Sequence, residues 1–180
     1  MLLGNRSKSI QGPSRIGVWM SFAPIYSGQS TLITIRRRSR GSWRYEALRL
    51  ICDETLERRF ARHEHCSLAL QHGIESMGLK LMAPSSIRLN SVVAIEVPDG
   101  VDSERARNYM SSRFKVEISG DFGLNIVRIG QMGEQCRAPN LFRVLHALGV
   151  AFAKEGACVD TSAGMAALEG YMSRYVDDIL

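Results

Sequence analysis

The sequence predicts an α+β domain, in which helices cover a short and mostly antiparallel sheet, preceded by an irregular basic segment. Three observations support this prediction: an amphipathic helical pattern over residues 45–77, two short β-branched runs, and two helical patterns near the C-terminus. The chain has 180 residues, of which 45% are apolar, so it is long enough to bury a core. This composition excludes a disordered chain.

The order of elements expected over residues 45–180 is helix, strand, helix, strand, strand, helix, helix. The pattern over 45–77 is long for one helix, so we expect two helices that meet near Asp53. Strands are expected at 91–97, 114–118 and 125–129, because these runs are rich in β-branched and aromatic residues. Further helices are expected at 102–113, 139–155 and 162–175, the first of them opened by Asp102.

The helical spacing also predicts which side chains face the core. In the first helical region the predicted apolar stripe consists of Leu56, Phe60, Ser67, Leu70, Ile74 and Met77. Charged and polar residues, namely Arg58, Arg59, Arg62, Glu64 and Gln71, are expected mostly off that stripe. In the helix that follows Pro139, one face collects Leu141, Val144, Leu145, Leu148 and Phe152.

The charge is divided unevenly along the chain. Residues 1–45 contain eight Lys or Arg and no acid, whereas residues 46–180 contain fifteen basic and eighteen acidic side chains. An irregular basic linker is therefore expected at 22–44. One hypothesis is nucleic-acid binding by Arg36–Arg40, but neither an aromatic platform nor a zinc pattern accompanies these arginines, so we expect no nucleic-acid partner.

Targeting and cysteine patterns predict a cytoplasmic protein. No apolar run approaches the length of a membrane helix, so no membrane partner is expected, and the N-terminus lacks the apolar region of a secretory signal. The four cysteines are scattered without a Cys-x-x-Cys pair, which is typical of reduced thiols. His63 and His65 are two residues apart on a helix and point apart, so no metal site is expected.

A lone arginine interrupts the apolar run around residue 128, with glycines on both sides. Two interpretations of Arg128 are open from the pattern alone. In one, it is an edge-strand arginine that faces water and blocks further strand pairing. In the other, its guanidinium binds a substrate carboxylate through two hydrogen bonds, and the glycines allow close backbone approach.

Several segments together resemble one known family. Residues 117–123 read Glu-Ile-Ser-Gly-Asp-Phe-Gly and residues 125–133 read Asn-Ile-Val-Arg-Ile-Gly-Gln-Met-Gly. Upstream are Arg-His-Glu at 62–64, Met-Gly-Leu at 77–79 and Pro-Asp-Gly-Val-Asp at 98–102. In order and approximate spacing these segments are similar to the small C-terminal domain of class V, fold-type I pyridoxal-phosphate aminotransferases. Those enzymes include the alanine–glyoxylate, ureidoglycine–glyoxylate and pyridoxamine–pyruvate aminotransferases.

The resemblance implies roles for individual residues. Arg128 falls on the family's arginine that binds the α-carboxylate of an amino or 2-oxo acid, and Gly120 and Gly123 shape the loop before it. Residues 8–16 read Lys-Ser-Ile-Gln-Gly-Pro-Ser-Arg-Ile, similar to the family's cofactor-lysine segment, so Lys8 resembles the catalytic lysine. Arg15 replaces a glycine that the family usually keeps. The implied cofactor is pyridoxal 5′-phosphate, or pyridoxal as a substrate.

The same resemblance implies an organisation for the chain. Residues 1–21 correspond to the cofactor-lysine segment of the large domain, 22–44 to the irregular linker and 45–180 to the small C-terminal domain. The implied activity is transfer of an amino group between an amine or amino acid and a 2-oxo acid such as pyruvate or glyoxylate. Because the family's large domain precedes the lysine, we expect a truncated fragment with little or no turnover.

Two further expectations concern partners and an alternative function. A small domain without the large domain exposes apolar faces, so a homodimer or another association through these faces is expected. The alternative to an enzyme is a non-catalytic α+β module, derived from the same family, that binds a small acid or a partner helix.

Overall fold

The structure is a computed structural model that describes residues 40–120 and 123–177. In this part of the chain, helices and strands follow one another in the expected order. The helices are α1 (Arg40–Glu54), α2 (Leu56–Ser76), α3 (Ser103–Tyr109), α4 (Ala138–Lys154) and α5 (Thr161–Asp177), and the strands are β1 (Val92–Glu96), β2 (Ser119–Gly120) and β3 (Ile126–Gly130). Lys8, Arg15, Arg36–Arg38 and most of the predicted linker lie outside the described residues, so the predicted domain boundaries stay predictions.

The first helical region is divided into two helices, as the length of its pattern predicts. α1 begins at Arg40, and the break between α1 and α2 is at Thr55, two positions after Asp53. Thr55 has φ 66° and ψ 156°, a conformation that β-branched residues rarely adopt. Its hydroxyl accepts a hydrogen bond from the Arg58 backbone N–H at 3.5 Å and so caps α2.

The sheet is antiparallel throughout its three strands, in the order β1-β3-β2. β3 is therefore the central strand, and β1 and β2 flank it. Val93 lies opposite Ile129 and Ile95 opposite Val127, and all four side chains are buried. The α+β class and the small antiparallel sheet predicted from the sequence are confirmed.

One predicted strand is wrong. Residues 110–114 form a π-helical turn that continues α3, and Lys115 follows it in the left-handed conformation. Phe114 packs edge-on against Tyr109, with ring centroids 6.0 Å apart, and against His146 on α4 at 5.7 Å. These two ring contacts hold Phe114 in the helical turn, so the strand begins only at Ser119, in the segment that the sequence predicts as a loop.

The core lies where the inner face of the sheet meets the helices. α2 contacts β1, α3 contacts β2, and α4 and α5 pack against α2. The predicted apolar face of α4 is confirmed, since Leu141, Val144, Leu145, Leu148 and Phe152 are all buried. The core therefore covers one side of the strand that contains Arg128.

The predicted stripe of α2 is wrong in its first half. Leu56 is 50% exposed and Phe60 67% exposed, whereas Arg62 and Gln71 are buried. Burial along α2 begins only at Arg62 and continues through Cys66, Leu70 and Ile74. The first turns of α2 thus extend beyond the core, and Arg62 is buried because its guanidinium contacts backbone oxygens and Glu54.

α2 and α5 cross at a point that leaves no space for side chains. A Cβ built on Gly73 would lie 2.7 Å from Leu145 Cδ2 and 3.2 Å from the Gly164 carbonyl oxygen. A Cβ on Gly164 would overlap the Met77 side chain and lie 2.7 Å from the Gly73 carbonyl oxygen. The two backbones therefore approach each other directly, and the helix pair depends on both glycines.

We predict that Gly164→Ala destabilises the protein by about 1–3 kcal/mol, because the added methyl group forces the two helices apart. Gly170→Ala is the matched control, since Gly170 lies on the same helix and a Cβ there meets nothing within 4 Å. The control gains up to about 1 kcal/mol from helix propensity. Urea unfolding of both variants measures the difference, and a stabilised Gly164→Ala variant would contradict the crossing.

Candidate functional site

The predicted carboxylate-binding residue, Arg128, lies in the middle of β3. Its neighbours across the sheet are Ala94 on β1 and Ser119 on β2, so strands pair with it on both sides. Val127 and Ile129 face the core, and Arg128 is half-buried on the other face. The edge-strand interpretation of Arg128 is therefore wrong, because an arginine of a central strand does not block an edge.

The Arg128 guanidinium is oriented by the backbone of the neighbouring strand. It donates hydrogen bonds from Nε and Nη2 to the carbonyl oxygen of Gly120, at 3.2 and 2.8 Å. Nε and Nη2 together form one edge of the planar guanidinium. A carboxylate that pairs with two nitrogens of Arg128 without displacing Gly120 does so through the other edge, formed by Nη1 and Nη2.

Gly120 and Gly123, the glycines predicted to shape the loop before Arg128, lie on either side of residues 121 and 122. Gly120 ends β2, where its carbonyl accepts from Arg128. Gly123 has φ +86°, the left-handed region that glycine adopts without strain, and so continues the chain towards β3. Residues 121 and 122 between them lie outside the described residues. The role of Gly120 and Gly123 in shaping this loop therefore stays a prediction.

One residue near the site was not found from the sequence. The Arg107 guanidinium of α3 lies against Gly120, and a Cβ on Gly120 would be 3.2 Å from its Cζ. Sequence alone gives no signal for this contact, because it depends on where a short helix packs on a two-residue strand. The contact places a second arginine beside the peptide that orients Arg128.

A buried charge network holds the chain that leaves β3. The Arg62 side chain donates from Nη1 to the carbonyl oxygens of Gly133, at 3.1 Å, and of Cys136. It also pairs with Glu54 through Nε, and through Nη2 at 2.7 Å. Arg62 thus connects the end of α1, the start of α2 and the turn after β3. The sequence pattern did not predict this burial, because it placed Arg62 off the apolar stripe of α2.

Further charges extend this network towards α4. Arg59 Nη1 lies 2.9 Å from Glu54 and 3.5 Å from Glu134, and Arg137 Nε donates to Glu134 at 2.7 Å. The hydrogen bond from Arg62 lowers the pKa of Glu54 against the opposing effect of burial. The hydrogen bond from Arg137 lowers the pKa of Glu134 in the same way. Both carboxylates are therefore held ionised.

Two thiols lie beside the same network. Cys66 and Cys136 are buried and free, and the Cys66 sulfur lies 3.8 Å from the carbonyl oxygen of Cys136. The hydrogen bond from Cys66 and burial raise the pKa of the Cys136 thiol. Cys136 is therefore a small core residue rather than an activated nucleophile.

The histidines predicted to point apart have different neighbours. His63 Nδ1 lies 2.7 Å from the Arg59 carbonyl oxygen, whereas the His65 ring packs on Tyr171 with centroids 4.9 Å apart. Among residues 40–120 and 123–177, no group of three or more His, Cys, Asp or Glu side chains could hold a metal ion.

Of the site residues that the family resemblance implies, the described part of the chain contains the carboxylate-binding arginine, Arg128. A guanidinium with a fixed orientation is suited to a carboxylate, and it offers no amine to a cofactor aldehyde. Lys8, the residue expected to bind the cofactor, lies outside the described residues. The geometry on this side of the sheet therefore supports acid recognition and assigns no described residue to the cofactor.

The amino-acid sequence of the chain is similar to those of several aminotransferases. The chain is 38% identical over 130 residues to the (S)-ureidoglycine–glyoxylate transaminase of Bacillus subtilis, which covers 70% of the chain. It is 38% identical over 110 residues, 59% of the chain, to the alanine–glyoxylate aminotransferase of Drosophila melanogaster. It is 34% identical over 114 residues, 61% of the chain, to the pyridoxamine–pyruvate transaminase of Mesorhizobium japonicum.

Solved structures agree with the sequence comparison. The crystal structure of the Bacillus subtilis ureidoglycine–glyoxylate aminotransferase matches with a TM-score of 0.69 and 35% identity, covering 71% of this chain and 34% of that one. The pyridoxamine–pyruvate aminotransferase of Mesorhizobium loti matches with a TM-score of 0.68 and 30% identity, with the same coverage. No protein-family model matches the chain. The chain spans about a third of the length of the curated relatives, 31% in the first comparison and 28% in the second.

We predict that Glu54→Gln lowers the free energy of unfolding by about 2–4 kcal/mol at pH 7, because the buried Arg62 loses its anionic partner. The pKa of Glu54 is lowered in the folded state, so its contribution is complete above the unfolded value of about 4.3. That contribution is lost as the pH falls through the folded value. Urea unfolding from pH 7 to pH 3 should therefore show the difference between wild type and variant shrinking in acid.

The control for this prediction is Glu64→Gln, since Glu64 is exposed on the same helix. It should change the stability by no more than about 0.5 kcal/mol. If Glu54→Gln and Glu64→Gln gave equal changes, or if the Glu54 difference did not depend on pH, the network would not have the role described.

Proposed function

We propose that this chain, whose homologues are the class V aminotransferases, provides the substrate-carboxylate site of an enzyme that moves an amino group between an amine or amino acid and a 2-oxo acid. Pyruvate and glyoxylate are the proposed 2-oxo acids, since the relatives named above act on them. The observation that supports this proposal is the placement of Arg128, half-buried in a central strand and fixed by the Gly120 carbonyl.

Arg128 would bind the substrate and orient it. Charge-assisted hydrogen bonds from two guanidinium nitrogens to a carboxylate are strong and define the plane of the carboxylate. Because Gly120 already fixes Nε and Nη2, little side-chain freedom is lost when the acid binds. The proposed contact pairs the substrate carboxylate with the Arg128 guanidinium and so fixes the plane of the carboxylate relative to the sheet.

Lys8 is the proposed catalytic lysine, and pyridoxal 5′-phosphate the proposed cofactor. Bound cofactor of this kind supplies an electron sink for the substrate's α-carbon. The amine of Lys8 would have to be neutral to bond the cofactor aldehyde and to move the α-proton, which requires a lowered pKa. The match of residues 8–16 to the family pattern supports this role, with Arg15 as its clearest departure.

We also propose that the chain associates with a second copy of itself. Tyr45 and Leu48 on α1 and Leu56 and Phe60 on α2 are exposed apolar side chains, which favours association of two copies through such residues. Within the described residues no helix is both long and apolar enough to cross a membrane. A cytoplasmic location and low turnover of the 180-residue chain stay predictions.

We predict that Arg128→Gln weakens pyruvate binding at least about tenfold, because the carboxylate loses its cationic partner. Isothermal titration of the full chain with pyruvate measures this change. Arg143→Gln is the matched control, since Arg143 also donates from Nε and Nη2 to one carbonyl oxygen, that of Phe114, but lies exposed on α4. Equal affinity of wild type and Arg128→Gln would contradict the proposed carboxylate site.

A second prediction concerns the cofactor. Mixing the full chain with pyridoxal 5′-phosphate should give a new visible absorbance band from cofactor bound to lysine, and Lys8→Ala should abolish it. Lys80→Ala, at an exposed lysine, is the control and should leave the band unchanged. A band of equal intensity in Lys8→Ala would assign the cofactor to another lysine and remove Lys8 from the proposed site.

A further inference from the structure

We infer that Arg107 is a positioning residue for Arg128 and acts through the Gly120 peptide between them. The inference rests on the proposed function, because it adds a residue to the same carboxylate site. Neither the family motif around Arg128 nor the residue pattern of α3 marks Arg107 as part of the site. Its role follows from three observations around Gly120.

The first observation is the packing of the Arg107 guanidinium against Gly120. A Cβ built on Gly120 would be 3.2 Å from Arg107 Cζ and 3.4 Å from both Nε and Nη2. Cζ is nearest and the two nitrogens are equally distant, which is the pattern expected when the face of the guanidinium plane covers the Cα. Gly120 is therefore packed against a flat, charged group on the side where other residues have a side chain.

The second observation is that Arg107 does not use its Nε for hydrogen bonding within the described part of the chain. Its Nε is buried and has no hydrogen-bond partner among the described residues. Arg105 on the same helix is different, since its side chain is 72% exposed and lies 3.4 Å from Glu155. An arginine in which a buried donor has no acceptor contributes through packing and charge.

The third observation connects this packing to Arg128. Gly120 ends a strand of two residues that, among residues 40–120 and 123–177, pairs with β3 alone. Arg128 donates two hydrogen bonds to that carbonyl, and its guanidinium direction follows the carbonyl position. Arg107 limits the movement of the same peptide from α3. Loss of Arg107 should therefore let Gly120 move and leave Arg128 less well oriented.

The geometry also explains why position 120 requires glycine. No positive φ is found at Gly120, so its backbone permits alanine. The methyl group of alanine would instead meet the Arg107 guanidinium at 3.2–3.4 Å, a closer contact than side chains usually make. Gly120→Ala and a change of Arg107 should thus disturb the same contact, and their effects should be less than additive.

The experiment measures Arg128 directly, by the ¹⁵N–¹H resonance of its Nε in the full chain, assigned with Arg128→Lys. Arg107→Met removes the planar cation, Arg107→Lys keeps the charge without the planar face, and Gly120→Ala adds the methyl group. Arg105→Met is the control on the same helix. We expect the first three variants to shift or broaden the Arg128 resonance and the control to leave it unchanged.

Pyruvate titration then tests the functional consequence. Each of the three variants should weaken binding about three- to tenfold, and the double variant Gly120→Ala/Arg107→Met should weaken it by less than the product of the single effects. If Arg107→Met fails to fold, Arg107→Lys and Gly120→Ala decide the outcome. An Arg128 resonance that no variant changes, or strictly multiplicative losses, would overturn the inference.

The two proposals fail in different ways. If Arg128→Gln leaves pyruvate binding unchanged, the proposed function fails, while the Arg128 resonance still decides whether Arg107 positions it. If Arg128→Gln abolishes binding but the Arg107 variants bind pyruvate like wild type with an unchanged resonance, only the inference fails.

Discussion

The buried guanidinium of Arg62 anchors the chain that leaves the central strand. It joins Glu54 at the end of α1 to the carbonyl oxygens of Gly133 and Cys136 in the turn after β3. A buried cation with these partners allows few alternative arrangements, because every displacement would leave charges or carbonyls unsatisfied. The turn after β3, the strand that carries Arg128, is therefore tied by this charge network to the end of α1 and the start of α2.

On each side of β3 along the chain, an arginine donates hydrogen bonds to backbone carbonyl oxygens. Before the strand, Arg128 donates to the Gly120 carbonyl, and after it Arg62 donates to the carbonyls of the turn. In each case the arginine binds carbonyl oxygens of residues that lie outside the long helices and strands. A guanidinium is suited to this task because it has several donors in one rigid plane. The turn that follows the strand and the orientation of the site side chain are thus specified by the same physical chemistry.

Much of the fold followed from local pattern, and most of the site contacts did not. The strand around Arg128 and the apolar face of α4 were predictable, because β-branched runs and helical spacing report burial directly. The expected burial of Leu56 and Phe60 was wrong, since spacing does not show where the core ends along α2. The central position of β3 and the contact of Arg107 with Gly120 depend on tertiary packing, which no local pattern encodes.

Arg128, oriented by the Gly120 carbonyl, is the residue that we propose to bind the carboxylate of a 2-oxo acid. The most direct measurement is a crystal structure of the full chain with pyruvate bound. We expect a carboxylate about 2.8 Å from the guanidinium nitrogens of Arg128, with Nε still bonded to the Gly120 carbonyl. A carboxylate bound elsewhere, or an Arg128 turned away from Gly120 in the complex, would contradict this proposal.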